Sequence, residues 1–457
     1  MPRLLLINPS NAHKGLGNIR ATAFPPLNLP YVASVTPSHY QVEVLDENIE
    51  PFEFREADLV GITAYTATVN RAYEIAQIYR IKDIPIVMGG IHVSMMPEEA
   101  ANYCDSVVIG EAESIWPKVL KDFEDGNLQQ QYKGEWIDLS KLPFPRRDIL
   151  RNPYYQWGSI QTSRGCPMNC TFCSVTAFNG RRFRRRPLDA VIEEIEQIPQ
   201  KKILLVDDNI IGHGEQDLEW TRAFFSQILK RGIKKIFFAQ SSILFGEDPE
   251  FVRLAARAGL KIVFIGMESI NPTTLQSYGK NINLKQLQLN RYKELIQRIR
   301  KAGIAFLGAF MLGSDEDDHS IFRTTLKFIQ SSHIDVLQIT KPTPLPGTQL
   351  QKILKQNNRI IHQDFPKDWN DYRFSRLHFK PGKMSIEDVY EMYAYIKKVY
   401  FSLWETVKRT LYTLITTKSL TSTVIAYKFN ASYRKAFRNS ENYKIYNRPG
   451  LRKKFYR

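Results

Sequence analysis

Ser159-Ile160-Gln161-Thr162-Ser163-Arg164-Gly165-Cys166-Pro167-Met168-Asn169-Cys170-Thr171-Phe172-Cys173 is a short apolar run that ends in a loop holding three of the chain's four cysteines. Four cysteines cannot staple a chain of 457 residues. In a reducing compartment such a group reads as a metal or cluster site before it reads as disulfides. Spaced C-x3-C-x2-C, the thiolates can each take one iron of a cubic four-iron cluster, which leaves the fourth iron open to a substrate or cofactor. Structural zinc would need a fourth ligand, and the next histidine, His213, is too far along the chain to supply it at the usual spacing. Cys104 stands alone.

Downstream of this loop, apolar runs at 159–163, 203–207, 235–240, 262–268, 305–312 and 336–340 alternate with helical segments. Six βα units predict a partial (β/α)6 barrel, in which chemistry sits at the C-terminal ends of the strands. Those ends carry Asp207-Asp208-Asn209 and Glu268-Ser269. Running Ile-Leu-Leu-Val into two acids is costly unless the acids have partners, which favours a site over a turn. Ser269 also suits a helix cap.

Upstream, runs at 3–8, 41–46, 58–63, 84–88 and 106–109 alternate with helices and predict a doubly wound, Rossmann-like α/β domain. Ligands in such folds lie beyond the carboxyl ends of the strands, here Asn8-Pro9-Ser10, Thr63-Ala64-Tyr65, Gly89-Gly90 and Gly110-Glu111. Small residues there admit a flat or phosphate-bearing ligand, although the glycines also suit tight turns. A proline-rich linker, 136–157, separates this domain (1–135) from the barrel (158–350), and a helical region, 351–457, follows. Within that region 385–414 reads as one helix, because Val389, Met392, Ile396, Val399, Leu403, Val407, Leu411 and Leu414 form a continuous apolar stripe suited to packing on the barrel.

With 43% hydrophobic and 24% charged residues the chain is neither disordered nor a collagen or disulfide scaffold. Its 63 Lys and Arg against 47 Asp and Glu give +16, which raises nucleic acid or an anionic membrane as a partner. More than half of that excess lies beyond Tyr427, where ten basic residues face one acid, Glu441, interleaved with Phe429, Tyr433, Phe437, Tyr443, Tyr446, Phe455 and Tyr456. Basic and aromatic residues together suit lipid headgroups or nucleic acid. The apolar run at the N-terminus is too short for a signal peptide, and the longest apolar stretch, 304–313, is too short to span a bilayer. A cytoplasmic protein is expected, with peripheral membrane contact through the basic tail.

The cysteine loop resembles that of the radical S-adenosylmethionine (radical SAM) enzymes, whose C-x3-C-x-aromatic-C motif is met by Cys166, Cys170, Phe172 and Cys173. The resemblance implies a 4Fe-4S cluster on these cysteines whose open iron chelates S-adenosylmethionine, reductive cleavage to a 5′-deoxyadenosyl radical, and an electron donor such as flavodoxin or ferredoxin. It places Phe172 against the adenine, Asp207, Asp208 and Asn209 near the amino group of the cofactor, Glu268 and Ser269 at the ribose, and Gly308 and the Pro344–Thr348 segment on the adenine side. With the N-terminal domain included, the chain is similar to the cobalamin-binding radical SAM enzymes, and within them to the hopanoid methylases and the anaerobic Mg-protoporphyrin cyclase group. Cobalamin would then lie at Gly89, Gly90, Gly110 and Glu111. The Asp-x-His-x-x-Gly loop that supplies a lower cobalt ligand in some cobalamin proteins is not matched at Asn11-Ala12-His13-Lys14-Gly15, so His13 is a poor ligand candidate. The activity implied is methyl transfer to an unactivated carbon of an apolar or lipid-like substrate. The alternatives are an oxidative cyclase or rearranging enzyme with the same cofactors and, from another class, a redox-sensing nucleic-acid-binding protein.

Overall fold

The computed structural model describes residues 1–10, 24–150 and 153–438. Its N-terminal strands are β1 (Arg3–Asn8), β2 (Gln41–Asp46), β3 (Leu59–Thr63), β4 (Ile86–Gly89), β5 (Ser106–Ile109) and β6 (Gln131–Lys133). They form one parallel sheet in the order β2-β1-β3-β4-β5-β6. Successive side chains of a strand point to opposite faces, and both faces here carry helices. Leu5 and Ile7 therefore enter one core with Tyr73 and Ile75, while Leu4 and Leu6 enter another with Trp116 and Leu120. The strand order reverses between β1 and β3, the position at which such sheets open a crevice. The three-residue β6 was not foreseen, since Gln-Tyr-Lys has no apolar run to mark it.

The second parallel sheet runs β14-β13-β12-β11-β10-β7. Its strands are β7 (Gly158–Ile160), β10 (Lys202–Leu205), β11 (Ile236–Ser241), β12 (Leu260–Glu268), β13 (Ala305–Met311) and β14 (Val336–Thr340). A small antiparallel pair, β8 (Ser163–Arg164) with β9 (Arg184–Arg185), brackets the cysteine loop. Phe306 and Phe310 of β13 face the outer helices, whereas Ala305 and Leu307 face inward with Trp157, Phe238 and Ile262. The inner face is closed by the Leu420–Arg438 helix through Ile425, Ala426, Phe429 and Tyr433.

The C-terminal region departs from expectation in two ways. The stripe over 385–414 is divided between two helices, Ile386–Tyr400 and Leu403–Thr417, the second starting at Ser402, whose hydroxyl accepts the Glu405 amide at 3.3 Å. Val389, Met392 and Ile396 are buried, but Leu403, Val407, Leu411 and Leu414 face solvent. Likewise Phe429 and Tyr433 pack into the barrel and Phe437 is buried, so these aromatics are not presented to an outside partner. The rest of the basic tail, 439–457, lies outside the described residues, as does His13. No described helix is long and apolar enough to cross a membrane.

Candidate cofactor site

Gly165 enters the cysteine loop at φ +86°, with the Arg182 carbonyl packed where a Cβ would project. Only glycine tolerates both constraints. Cys166, Cys170 and Cys173 are free thiols, and the Cys173 amide donates to the Cys170 carbonyl at 3.1 Å. From the barrel side Thr171 donates to the Tyr278 carbonyl at 3.1 Å, and its own carbonyl accepts the Leu350 amide at 2.8 Å. Phe172 meets the Tyr278 ring edge to face at 5.1 Å. Burial pushes the Cys166 thiol up and the Cys170 thiol to about 12, and the nearby Lys280 ammonium pulls both down.

Lys280 pairs with Glu268 at 2.9 Å. Burial opposes its charge, but Glu268 and Cys170 outweigh that and hold it protonated. Glu268 ends β12 at φ +60°, where the pairing with β13 slips. A non-glycine residue held in this region of backbone space marks a strained position of the kind that clusters at functional sites. Ser269 is fully buried and its hydroxyl accepts the Asn271 amide at 3.0 Å, a local turn bond.

The three polar residues after β10 divide their work. Asp207 is fully buried and accepts the Thr162 amide at 3.1 Å, the Thr162 hydroxyl at 2.8 Å and the Ser163 hydroxyl. Asn209 is also buried, donating to the Gly212 carbonyl at 2.7 Å and accepting the Ser242 amide at 3.1 Å. Only Asp208 remains open. It lines the cavity described below, where burial and the Asp207 carboxylate push it up to about 6. Gly308 faces the helix layer, since a Cβ there would lie 3.2 Å from Ile334 and Phe306. The loop after β14 brings Gly347 against Met95 of the N-terminal domain.

A cavity of about 490 Å³ lies between the two sheets. Leu6, Ile62, Gly89, Gly90 and Gly110 line it from one domain, and Gln161, Arg164, Val206 and Asp208 from the other. At Gly90, φ is +100° and a Cβ would sit 2.8 Å from the Ala64 carbonyl. Glu111 is committed to structure: it pairs with Arg184, lies 3.4 Å from Arg164 and accepts the Ile137 amide at 2.8 Å. Burial raises its pKa, and these partners more than reverse the effect.

Sequence reasoning missed Lys280 and placed Tyr65 at a strand end without a role. The first follows a glycine turn with no periodic signal, and the second stands 56% exposed in the cavity wall.

The donor set fits a cluster: three thiols on one pinned loop, a lysine set beside them, and a fourth cysteine, Cys104, buried in the other domain. Among the described residues no three His, Cys, Asp or Glu side chains gather round a single ion. The glycine floor and apolar lining of the cavity fit a flat macrocycle. Residues 160–329 match the radical SAM superfamily and residues 14–120 the B12-binding domain. The chain is 30% identical to the bacteriochlorophyllide d C-12(1)-methyltransferase of Chlorobaculum tepidum, over 86% of each chain.

This chain is a radical SAM enzyme with a B12-binding domain.

It is also 26% identical to the hopanoid C-2 methylase of Rhodopseudomonas palustris, over 75% of this chain and 67% of that one. Among solved structures it resembles the radical SAM methyltransferase TsrM from Kitasatospora setae, with cobalamin and a 4Fe-4S cluster bound, at a TM-score of 0.67 and 17% identity. That alignment covers 95% of this chain and 99% of TsrM. The radical SAM enzyme thus has the cofactor set expected from its cysteine loop and N-terminal domain: a 4Fe-4S cluster, S-adenosylmethionine and cobalamin.

Proposed function

We propose that this radical SAM enzyme transfers a methyl group to an unactivated carbon of a large apolar substrate. One observation carries the reading: a single cavity joins the glycine-floored strand ends of the B12-binding domain to the barrel strand ends beside the cysteine loop. Radical chemistry from the cluster and S-adenosylmethionine, with cobalamin as the methyl carrier, would act in that space. Such chemistry needs no general base, but it needs the reacting carbons held in one dry enclosure.

The chain's residues supply the enclosure. Cys166, Cys170 and Cys173 would hold the cluster. Phe172 would lie along the adenine, Asp208 would receive the amino group of S-adenosylmethionine, and the strained Glu268, steadied by Lys280, would reach the ribose with Ser269 supporting that turn. Asp207 and Asn209 keep the end of β10 in place for Asp208, and the backbone at Gly308 contributes to the adenine side. Gly89, Gly90 and Gly110 form the cobalamin floor, while Glu111 fixes that floor to the barrel. The domain limits that suit this division are 1–135 and 158–350, with 136–157 as linker. Small-molecule or lipid substrates and a reductant are common to radical SAM methylases. For this chain we assign a flavodoxin or ferredoxin as the reductant, an anionic membrane as a peripheral contact, and no nucleic acid.

The test is anaerobic turnover with S-adenosylmethionine labelled in its methyl group, using extracts of apolar metabolites as substrate. Label in an apolar product together with deoxyadenosine supports the reading. Deoxyadenosine and an altered product without label overturns it in favour of ring formation or rearrangement.

A further inference from the structure

The Leu403–Thr417 helix is amphipathic in the wrong sense for a protein in water. Leu403–Thr417 buries Thr406, Arg409, Thr413 and Thr417. Thr413 donates to Asp335 at 2.6 Å, and Arg409 lies over the Tyr400 ring at 3.6 Å while donating to the Tyr400 carbonyl. Its apolar residues point the other way: Leu403 is 67% exposed, Trp404 74%, Leu411 55% and Ile415 69%. The Leu420–Arg438 helix packs Ile425, Ala426, Phe429 and Tyr433 into the barrel and also buries Ser422, Thr423 and Asn430, with Ser422 donating to the Gly303 carbonyl at 2.7 Å and Asn430 to the Asp335 carbonyl at 2.8 Å. It leaves Leu420 69% and Tyr427 51% exposed. Between the helices runs an apolar groove of about 440 Å³ that ends in Arg434, Lys435 and Arg438. None of these three cations has an acidic partner among the described residues.

Soluble monomers rarely expose apolar surface as a contiguous patch, and an apolar face beside unpaired cations matches the boundary between headgroups and acyl chains. We propose that this helical hairpin is the bilayer-docking surface of the protein and that its ligand is anionic phospholipid. Trp404, Leu411 and Ile415 enter the acyl boundary, and the three cations at the groove end take the headgroup phosphate. The chain after Arg438 is strongly basic, which continues the same charge. Asp335, Gly303 and Arg300, which hold the hairpin, lie at the N-terminal ends of β13 and β14. No residue that lines the groove also lines the cofactor cavity, so docking there leaves the cavity uncovered. The inference rests on the membrane contact assigned above and names the surface that makes it.

The experiment is sedimentation of the full chain with phosphatidylglycerol-containing and pure phosphatidylcholine vesicles. It compares the wild type, the double variant Trp404→Glu/Ile415→Glu, and a variant with the basic residues after Arg438 changed to Gln. Quenching by brominated acyl chains is read as the difference between wild type and Trp404→Phe, and bound iron and melting temperature confirm folding. Expected are preference for the anionic vesicles, acyl-chain quenching of Trp404, and loss of binding by roughly tenfold or more in the double variant. If wild type binds anionic vesicles but Trp404 is not quenched and only the tail variant loses binding, the hairpin proposal is overturned and the tail assignment survives. If wild type binds neither vesicle, both fail. A dimer in solution that the double variant disperses would assign the face to a second copy of this chain instead.

Discussion

Asp207 and Asp208 are neighbours with opposite fates. Each was expected at the cofactor because a buried strand ends on two acids, and that cost is real, but the sequence does not show that Thr162 and Ser163 meet only the first. An amide at 207 would turn a donor toward the Thr162 amide. Asp207→Asn is therefore expected to lower stability by about 1–3 kcal/mol, as for a buried bond left unmade. Asp208→Asn should leave the melting temperature unchanged and reduce deoxyadenosine formation. Thermal melts and a deoxyadenosine assay on both variants check this, and equal melting losses would remove the distinction. His378 supplies a second prediction. Its ring is fully buried, stacked on Tyr372 at 4.3 Å, and burial pushes its pKa down to about 3. The unfolded chain binds a proton there near the ordinary value while the folded chain does not, so stability falls as pH drops from about 6.5 toward 3. Denaturant titrations should show a loss on the order of 1–2 kcal/mol between about pH 7 and about pH 5, and His378→Phe should flatten that slope.

The strands were legible because their apolar runs are short, evenly spaced and bounded by turn residues, and both sheets apart from the edge strand β6 follow from that pattern. The break at Ser402 was not, because the three-and-four spacing of apolar residues continues across it. Spacing describes a stripe but not the direction in which the stripe faces. What turns Leu403–Thr417 over is the demand of Asp335 for Thr413, a contact between residues remote in the chain, and of Tyr400 for Arg409 across the break itself. The glycines after β4 were legible as candidates, and the structure separates the two: a Cβ on Gly89 would make only ordinary contact with Val108, whereas at Gly90 it would strike Ala64. Gly90→Ala should cost roughly 1–3 kcal/mol through its left-handed backbone and narrow the cavity floor. The expected readout is a lower melting temperature with reduced cobalamin uptake, measured as visible absorbance after reconstitution. Full uptake by Gly90→Ala would remove this position from the floor, whereas Gly89→Ala should leave the melting temperature nearly unchanged.

At the scale of the molecule, the relation between the domains was the least legible feature, because it rests on ion pairs that no local periodicity encodes. Glu111 at the end of β5 holds Arg184 and Arg164, the residues that bracket the cysteine loop, and Glu113 pairs with Arg164 as well. The helical region is tied back in the same way: Trp369 donates to Glu99 at 2.9 Å, and Glu99 also accepts from Tyr73 and lies 3.3 Å from His92. These contacts keep the glycine floor facing the cluster loop. Charges buried in this manner are costly to leave half-paired, so Glu111→Gln should destabilise the chain by about 3–5 kcal/mol. The more telling consequence is functional. If Glu111 aligns the two halves of the cavity, a slackened interface would let the barrel cleave S-adenosylmethionine without delivering methyl to the substrate carbon. The ratio of methylated product to deoxyadenosine should then fall by roughly tenfold in Glu111→Gln, the order of loss expected when reacting atoms are displaced, while bound iron stays at the wild-type level. Deoxyadenosine and labelled product measured in the same reaction give that ratio directly. A variant that loses both in proportion would show that Glu111 supports the fold alone, and that some other contact sets the alignment of the two domains.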